Sequence, residues 1–141
     1  MVTTLAYNNL NIGAEIPSLV KQPTTKQMVK WAGAVDEYFE IHYDKDFAIC
    51  QGLPGVLVAA GMLWAYLGEM LTNWIGDSGF VKKISCSFRG MHVPKEAVIC
   101  KGKIINKYIL ENEHCIECEI WTENIRGEKT VLGTAIIALP A

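Results

Sequence analysis

The sequence predicts an α+β domain in which an antiparallel sheet wraps around one long central helix. Three observations lead there. The stretch LPGVLVAAGMLWAYLG, residues 53–68, carries no charge, and a helix that is apolar nearly all round must be enclosed by its neighbours. Downstream, KKISCSFRG and HCIECEIWTENIRG alternate in polarity, while AVICKGKII and KTVLGTAIIALP are apolar and β-rich, so all read as strands. Helix first and strands after is an α+β order, and a sheet curled around the helix buries it on most sides.

The elements follow in sequence. The N-terminal third reads as loop-rich up to Pro23. TTKQMVKWAGAVD then predicts a helix: Thr24 is the cap, Gln27 stands three residues on in capping-box position, and Met28, Trp31, Ala32 and Val35 share one apolar face. DKDFAICQG predicts a short helical turn, opened by Asp44 and closed by Gly52, with Pro54 enforcing the stop. The long helix is expected over residues 56–75, ending at Gly76. Turn residues between the later strands fall at 106–113 and 124–127.

Composition bounds the function. The 141 residues make one domain, 1–141, without internal repeat or linker, and a chain this small buries more surface by associating. Half the residues are apolar and 20% charged, which excludes disorder. A net charge of -2 gives no electrostatic reason to expect nucleic acid, although a local patch can meet a phosphate. The uncharged stretch is short of the ~20 apolar residues a bilayer span needs, and Glu69, Thr72 and Asn73 follow it, so it reads as a buried helix, not a membrane segment.

The five cysteines are odd in number, and MVTTLAYNNL lacks the basic head and apolar run of a secretory signal. They are expected to be reduced, mostly buried thiols of a cytosolic protein. Cys115 and Cys118 form a C-x-x-C, but on an alternating strand they point to opposite faces, and no second C-x-x-C completes a zinc site. No glycine-rich nucleotide loop and no G-x-S-x-G is present. His92 and His114 lie on or beside strands and are assigned no chemistry.

The stretch AVDEYFEIHYDKDFA, residues 34–48, gathers five carboxylates around His42. It is either an acid–base site or a polar loop in which His42 merely bonds to its neighbours. Asp44 serves as a helix cap on either reading, and Phe39, Tyr43 and Phe47 as packing.

WAGAVDEYFEIHYDKDFAICQGLPGVLVAAGML resembles the signature of the MaoC-like, hot-dog-fold (R)-specific enoyl-CoA hydratases and 3-hydroxyacyl-thioester dehydratases. In that family Y-A-x-x-S-G-D runs into x-N-P-I-H-x-D-x-x-x-A, then a G-L-P-G turn and V-x-H-G-M opening the central helix. A later strand of type V-R-F-x-x-x-V-x-P-G-D is matched by CSFRGMHVPKEA, and the likeness runs from about residue 17 to the C-terminus. It implies a hot-dog dimer, working in lipid metabolism without metal or redox cofactor, on an acyl-CoA or acyl-ACP thioester. A carboxylate and a histidine would hold the water that adds to a trans-2-enoyl thioester. These residue types suit proton transfer near neutral pH. Gly61 matches the glycine of H-G-M and is the candidate backbone donor to the thioester oxygen.

The family's aspartate lies five residues before its histidine; five before His42 is Glu37, and six before is Asp36. Either Glu37 replaces the aspartate, or the loop is one residue longer and Asp36 takes the role. The Asn-Pro of the pattern is Phe39-Glu40 here, and H-G-M has become AAGM without its histidine. Two further readings follow from the same likeness. One is a non-catalytic subunit paired with another hot-dog chain; the other is thioester hydrolysis, with Glu69 as the carboxylate on the central helix. Lys82, Lys83 and Arg89 form a modest basic cluster that suits either the phosphates of coenzyme A or a solvated sheet edge.

Overall fold

The computed structural model describes residues 4–141. Met1 to Thr3, which open the segment read as leader-free, lie outside the described residues. Helix α1 (Thr25–Val35) begins as the capping box requires: the Thr24 hydroxyl accepts from the Gln27 N–H at 3.2 Å, and the Gln27 side chain accepts from the Thr24 N–H at 3.0 Å. Met28 and Ala32 are buried, whereas Val35, expected on the same face, is exposed in the last turn. Helix α2 (Lys45–Cys50) is capped by Asp44, whose Oδ1 accepts from the Phe47 N–H at 3.0 Å.

Helix α3 (Ala60–Ile75) starts four residues later than the periodicity predicts. The peptide groups ahead of it are held from outside: Leu57 N–H bonds to the Ile41 carbonyl and Val58 N–H to the His92 carbonyl, each at 2.9 Å, and the Leu57 carbonyl, which a longer helix would offer to the Gly61 N–H, is taken by His42 Nδ1 at 2.8 Å. Ala59 is extended, with ψ 140, and serves as the cap. Residues 57–58 therefore form a short splint between two loops, and the helix grows from its end.

The strands are β1 (Glu15–Lys21), β2 (Phe80–Phe88), β3 (Val98–Leu110), β4 (Glu113–Glu123) and β5 (Lys129–Leu139), in the antiparallel order β1-β3-β4-β5-β2. Strand β1 is an addition to the N-terminal third, which the sequence shows only as loop-rich. Pro17 hides it in the sequence, yet the strand is an edge, and Pro17 falls in the irregularity between Ile16 and Leu19, where no ladder N–H is asked of it. Strand β3 also runs on through residues expected in a turn. Its register shifts between Ile104 and Asn106, and the turn narrows to Glu111 and Asn112, both left-handed at φ 49 and 66.

Helix α3 touches the two outer strands β1 and β2 as well as β3 and β4, which requires the sheet to curl around it. Leu67, Met70 and Leu71 of the helix meet Val98, Cys100, Ile104, Ile116, Cys118, Ile120 and Ile137 of the concave face, all essentially sealed from solvent. Each such aliphatic side chain contributes roughly 1.5–3 kcal/mol by leaving water. All five cysteines are free thiols, and burial pushes Cys100 and Cys118 up to about 12, so neither is a thiolate near neutral pH. Among the described residues no helix is long and apolar enough to cross a membrane.

Candidate active site

The end of α1 shapes the site. Asp36 closes the helix in the left-handed conformation at φ 55, and the N–H groups of both Asp36 and Glu37 donate to the Ala32 carbonyl. This bifurcated ending turns the chain sharply, as left-handed caps do. A single 3₁₀ turn, Glu40–His42, then brings the imidazole round.

His42 Nδ1 lies 2.8 Å from the Leu57 carbonyl oxygen. A carbonyl can only accept, so Nδ1 carries the proton, and in the neutral ring Nε2 is left bare. That bare nitrogen stands 3.8 Å from Glu37 Oε1. The gap is too long for a hydrogen bond, and two acceptors would not form one. A single water beside the gap can donate to both. The His42 side chain is 12% exposed and that of Glu37 49%, so the imidazole is held inside while the carboxylate reaches solvent. Phe39 meets the imidazole edge-on, with centroids 6.1 Å apart.

Gly61 is the second residue of α3. Its N–H has no acceptor within the helix and lies at the positive end of the helix dipole. The glycine also has a packing reason: a Cβ there would stand 2.7 Å from Trp31 Cζ2. Trp31 Nε1 is itself buried and finds no acceptor among the described residues. Trp31, Gly61, Trp64 and Gly68 line a largely apolar groove of about 450 Å³ between α3 and β2, with Ile84 and Lys83 on its far wall. His42 and Glu37 are not among its lining residues.

The remaining candidates are dispersed. Lys82 is paired with Glu113, while Arg89 follows the end of β2, so the basic cluster is not one patch. Glu69, the carboxylate hydrolysis would use, is held by Lys21 at 3.0 Å. His114 packs against Tyr7, with ring centroids 5.0 Å apart and the planes tilted by 59°. Among the described residues no group of three or more His, Cys, Asp or Glu side chains could hold a metal ion. Sequence reasoning did not see the Leu57 carbonyl as the partner of His42. Its only sign was the apolar run itself, which hides a non-helical start.

No family model matches the sequence, and no curated protein matches it. Solved structures do. The (R)-hydratase from A. caviae involved in PHA biosynthesis is 18% identical, with 93% of this chain and 98% of that one covered and a TM-score of 0.84. The MaoC-like dehydratase from Rhodospirillum rubrum is 16% identical, with 96% of each chain covered and a TM-score of 0.83. A chain of the ChsH1-ChsH2 complex from Mycobacterium tuberculosis is 21% identical, covering 92% of this chain and 98% of its own at a TM-score of 0.79. At these identities the likeness establishes the fold, and the chain has the hot-dog fold shared by MaoC-like dehydratases and (R)-hydratases.

Proposed function

We propose that the protein adds water reversibly to a trans-2-enoyl thioester, carried on coenzyme A or acyl carrier protein, with His42 and Glu37 as the catalytic pair. The observation that carries this reading is the bare Nε2 of His42, fixed by the Leu57 carbonyl and facing Glu37 at 3.8 Å. Water held between them passes one proton to Nε2 as its oxygen bonds to C3. The electron pair of the double bond moves to C2 and the thioester oxygen, and C2 then takes a proton from the imidazolium. The Glu37 carboxylate orients the water and steadies the imidazolium between the two transfers. The Gly61 N–H serves the enolate-like oxygen.

Backbone conformation supports Glu37 over Asp36. In the ungapped register with the family pattern, Asp36 takes the place of glycine in S-G-D, and φ 55 is a glycine-like conformation. Trp31 and Ala32 then take the places of Y-A, and Asp44 and Ala48 those of the later D and A. No metal or redox cofactor is needed for this chemistry.

The unit that works is a dimer, either of two copies or with another hot-dog chain. Trp64 on α3 is 49% exposed and Phe80 on the free-edged β2 54% exposed, apolar surface of the kind that association covers. One solved structure of this fold is a complex of two chains, ChsH1 and ChsH2. The altered loop, with Phe39-Glu40 in place of Asn-Pro, and the missing histidine of H-G-M favour the second reading, a non-catalytic subunit whose partner carries the chemistry.

The test is loss of enoyl absorbance from crotonyl-CoA and a long-chain enoyl-CoA, for the wild type and for His42→Ala, Glu37→Gln and Asp36→Asn. Activity lost with His42 and Glu37 and kept in Asp36→Asn is the expected result. A folded wild type that turns over neither substrate, but restores activity to a co-purified hot-dog chain, replaces hydration by the subunit reading. Free thiol released from acyl-CoA would instead mark hydrolysis.

A further inference from the structure

His92 is among the few polar side chains sealed in the interior, 2% exposed, beside Thr122 and Thr130. Its Nε2 lies 2.6 Å from Thr130 Oγ1, which in turn lies 2.8 Å from Thr122 Oγ1 and 3.3 Å from the Thr122 carbonyl oxygen. The connection from β2 to β3 closes tightly on this group. The N–H groups of Arg89 and Gly90 both donate to the Thr130 carbonyl, and a Cβ at Gly90 would stand 2.9 Å from Thr130 Cγ2. Burying an imidazole costs solvation that an apolar residue would not lose.

The backbone of His92 faces the other way. Its carbonyl accepts the Val58 N–H at 2.9 Å. The next residue back, Leu57, donates its N–H to Ile41 and offers its carbonyl to His42 Nδ1 at 2.8 Å. Hydrogen bonds joined through the covalent frame of His92 and the Leu57–Val58 peptide group therefore connect Thr122 in β4 and Thr130 to His42.

We propose that His92 is a positioning residue for His42: its side chain, locked by Thr130 and Thr122, fixes the carbonyl that holds Val58, and the adjoining Leu57 carbonyl then holds the imidazole with Nε2 bare toward Glu37. His92 touches no reacting atom. Its consequence for catalysis rests on the hydratase reading; its consequence for the tautomer of His42 does not.

The experiment uses full-length protein with ¹⁵N-labelled histidine, the His42 signals being assigned by loss in His42→Gln. Wild type is expected to show His42 in the Nδ1–H tautomer. His92→Val removes the bond to Thr130 and should mix the two tautomers of His42, whereas His92→Gln, which can still bond to Thr130, should largely restore one. If His92→Val does not fold, the near-isosteric Thr130→Val carries the same test. With an enoyl-CoA substrate, kcat should fall about tenfold or more in the valine variants, since small misplacements of a catalytic group are costly, while KM moves less than about twofold and the glutamine variant recovers. A folded valine variant that is less stable, yet keeps the His42 tautomer and kcat, overturns the proposal and leaves His92 a structural residue. If the tautomer shifts as expected but wild type hydrates nothing, the hydratase reading fails and the positioning of His42 stands.

Discussion

Asp36 and Glu37 donate their N–H groups to the same Ala32 carbonyl, yet their roles separate at that point. Asp36 absorbs the left-handed turn that ends α1, and Glu37, one residue on, places Oε1 3.8 Å from His42 Nε2. The backbone thus distinguishes two adjacent carboxylates that composition alone leaves equivalent.

Replacing Asp36 by glycine should therefore stabilise the protein by about 0.5–1 kcal/mol, because the left-handed conformation penalises a Cβ. Hydration should persist in Asp36→Gly, while Glu37→Gln should lose on the order of 10²-fold or more, the range of a general acid–base group. Urea unfolding and initial rates measured on the same preparations check both. Asp36→Gly that unfolds at lower urea and is inactive would assign the catalytic role to Asp36.

Lys95 offers the same test away from the site. Its φ is 70, its N–H donates to the Pro23 carbonyl at 2.7 Å, and its carbonyl accepts from Gln22 Nε2 at 2.6 Å. These bonds use the backbone alone, so Lys95→Gly keeps them and removes the strained Cβ. The expected gain is about 0.5–1 kcal/mol, read as a higher urea midpoint at unchanged slope. A lower midpoint would show that the lysine side chain contributes more than its backbone strain costs.

Gly61 is fixed by its neighbour. Gly61→Ala should cost roughly 1–3 kcal/mol, since the added methyl meets a packed indole that must shift. Trp31→Phe, by removing Cζ2, should recover part of that loss in the double variant. Additive losses in a double-mutant cycle of unfolding free energies would contradict the contact.

The parts of this fold legible in the sequence are those dictated locally. Thr24 with Gln27, Asp44 before Phe47, and the alternation of 116–122 each declare themselves within a few residues, and each stands where expected. What was hidden depends on distant partners. Pro17 disqualifies β1 as a strand until its edge position and the irregularity beside it are known. Residues 56–59 continue the helical periodicity, and only partners distant in sequence, Ile41, His42 and His92, hold the Leu57 and Val58 backbone out of the helix. For the candidate site, His42 and its two carboxylates were visible as residue types. The choice between the carboxylates required φ at Asp36, and the tautomer of His42 required the Leu57 carbonyl.

The thiols should divide by burial. Cys50 is exposed and Cys86 half-buried, whereas Cys100, Cys115 and Cys118 are sealed. A native titration with an aromatic disulfide reagent is expected to show one fast thiol and one slow one, with the rest appearing in denaturant. Loss of the fast phase in Cys50→Ser confirms the assignment. Prompt reaction of three or more thiols in the native state would mean that the sheet opens far more readily than its packing indicates.

Burial of His92 also leaves a mark on stability against pH. Desolvation lowers its pKa from the ordinary value near 6.5, with Glu96 opposing. The native state therefore resists protonation that the unfolded chain accepts. Well above 6.5 neither state binds the proton at this site and its pH-dependent contribution is flat. As pH falls below that value the unfolded state gains the proton first, and stability declines until the native imidazole titrates too, with a slope of at most about 1.4 kcal/mol per pH unit from this one group. His92→Gln cannot titrate, so it should be less pH-sensitive than the wild type between pH 6.5 and 5, while the offset between the two stays constant from pH 7 to 8. Urea unfolding at half-unit intervals measures this directly. Because both proteins carry the other acidic groups and His42 unchanged, their difference isolates residue 92, and parallel curves from pH 8 to 5 would show that its imidazole protonates as easily in the folded protein as in the unfolded chain.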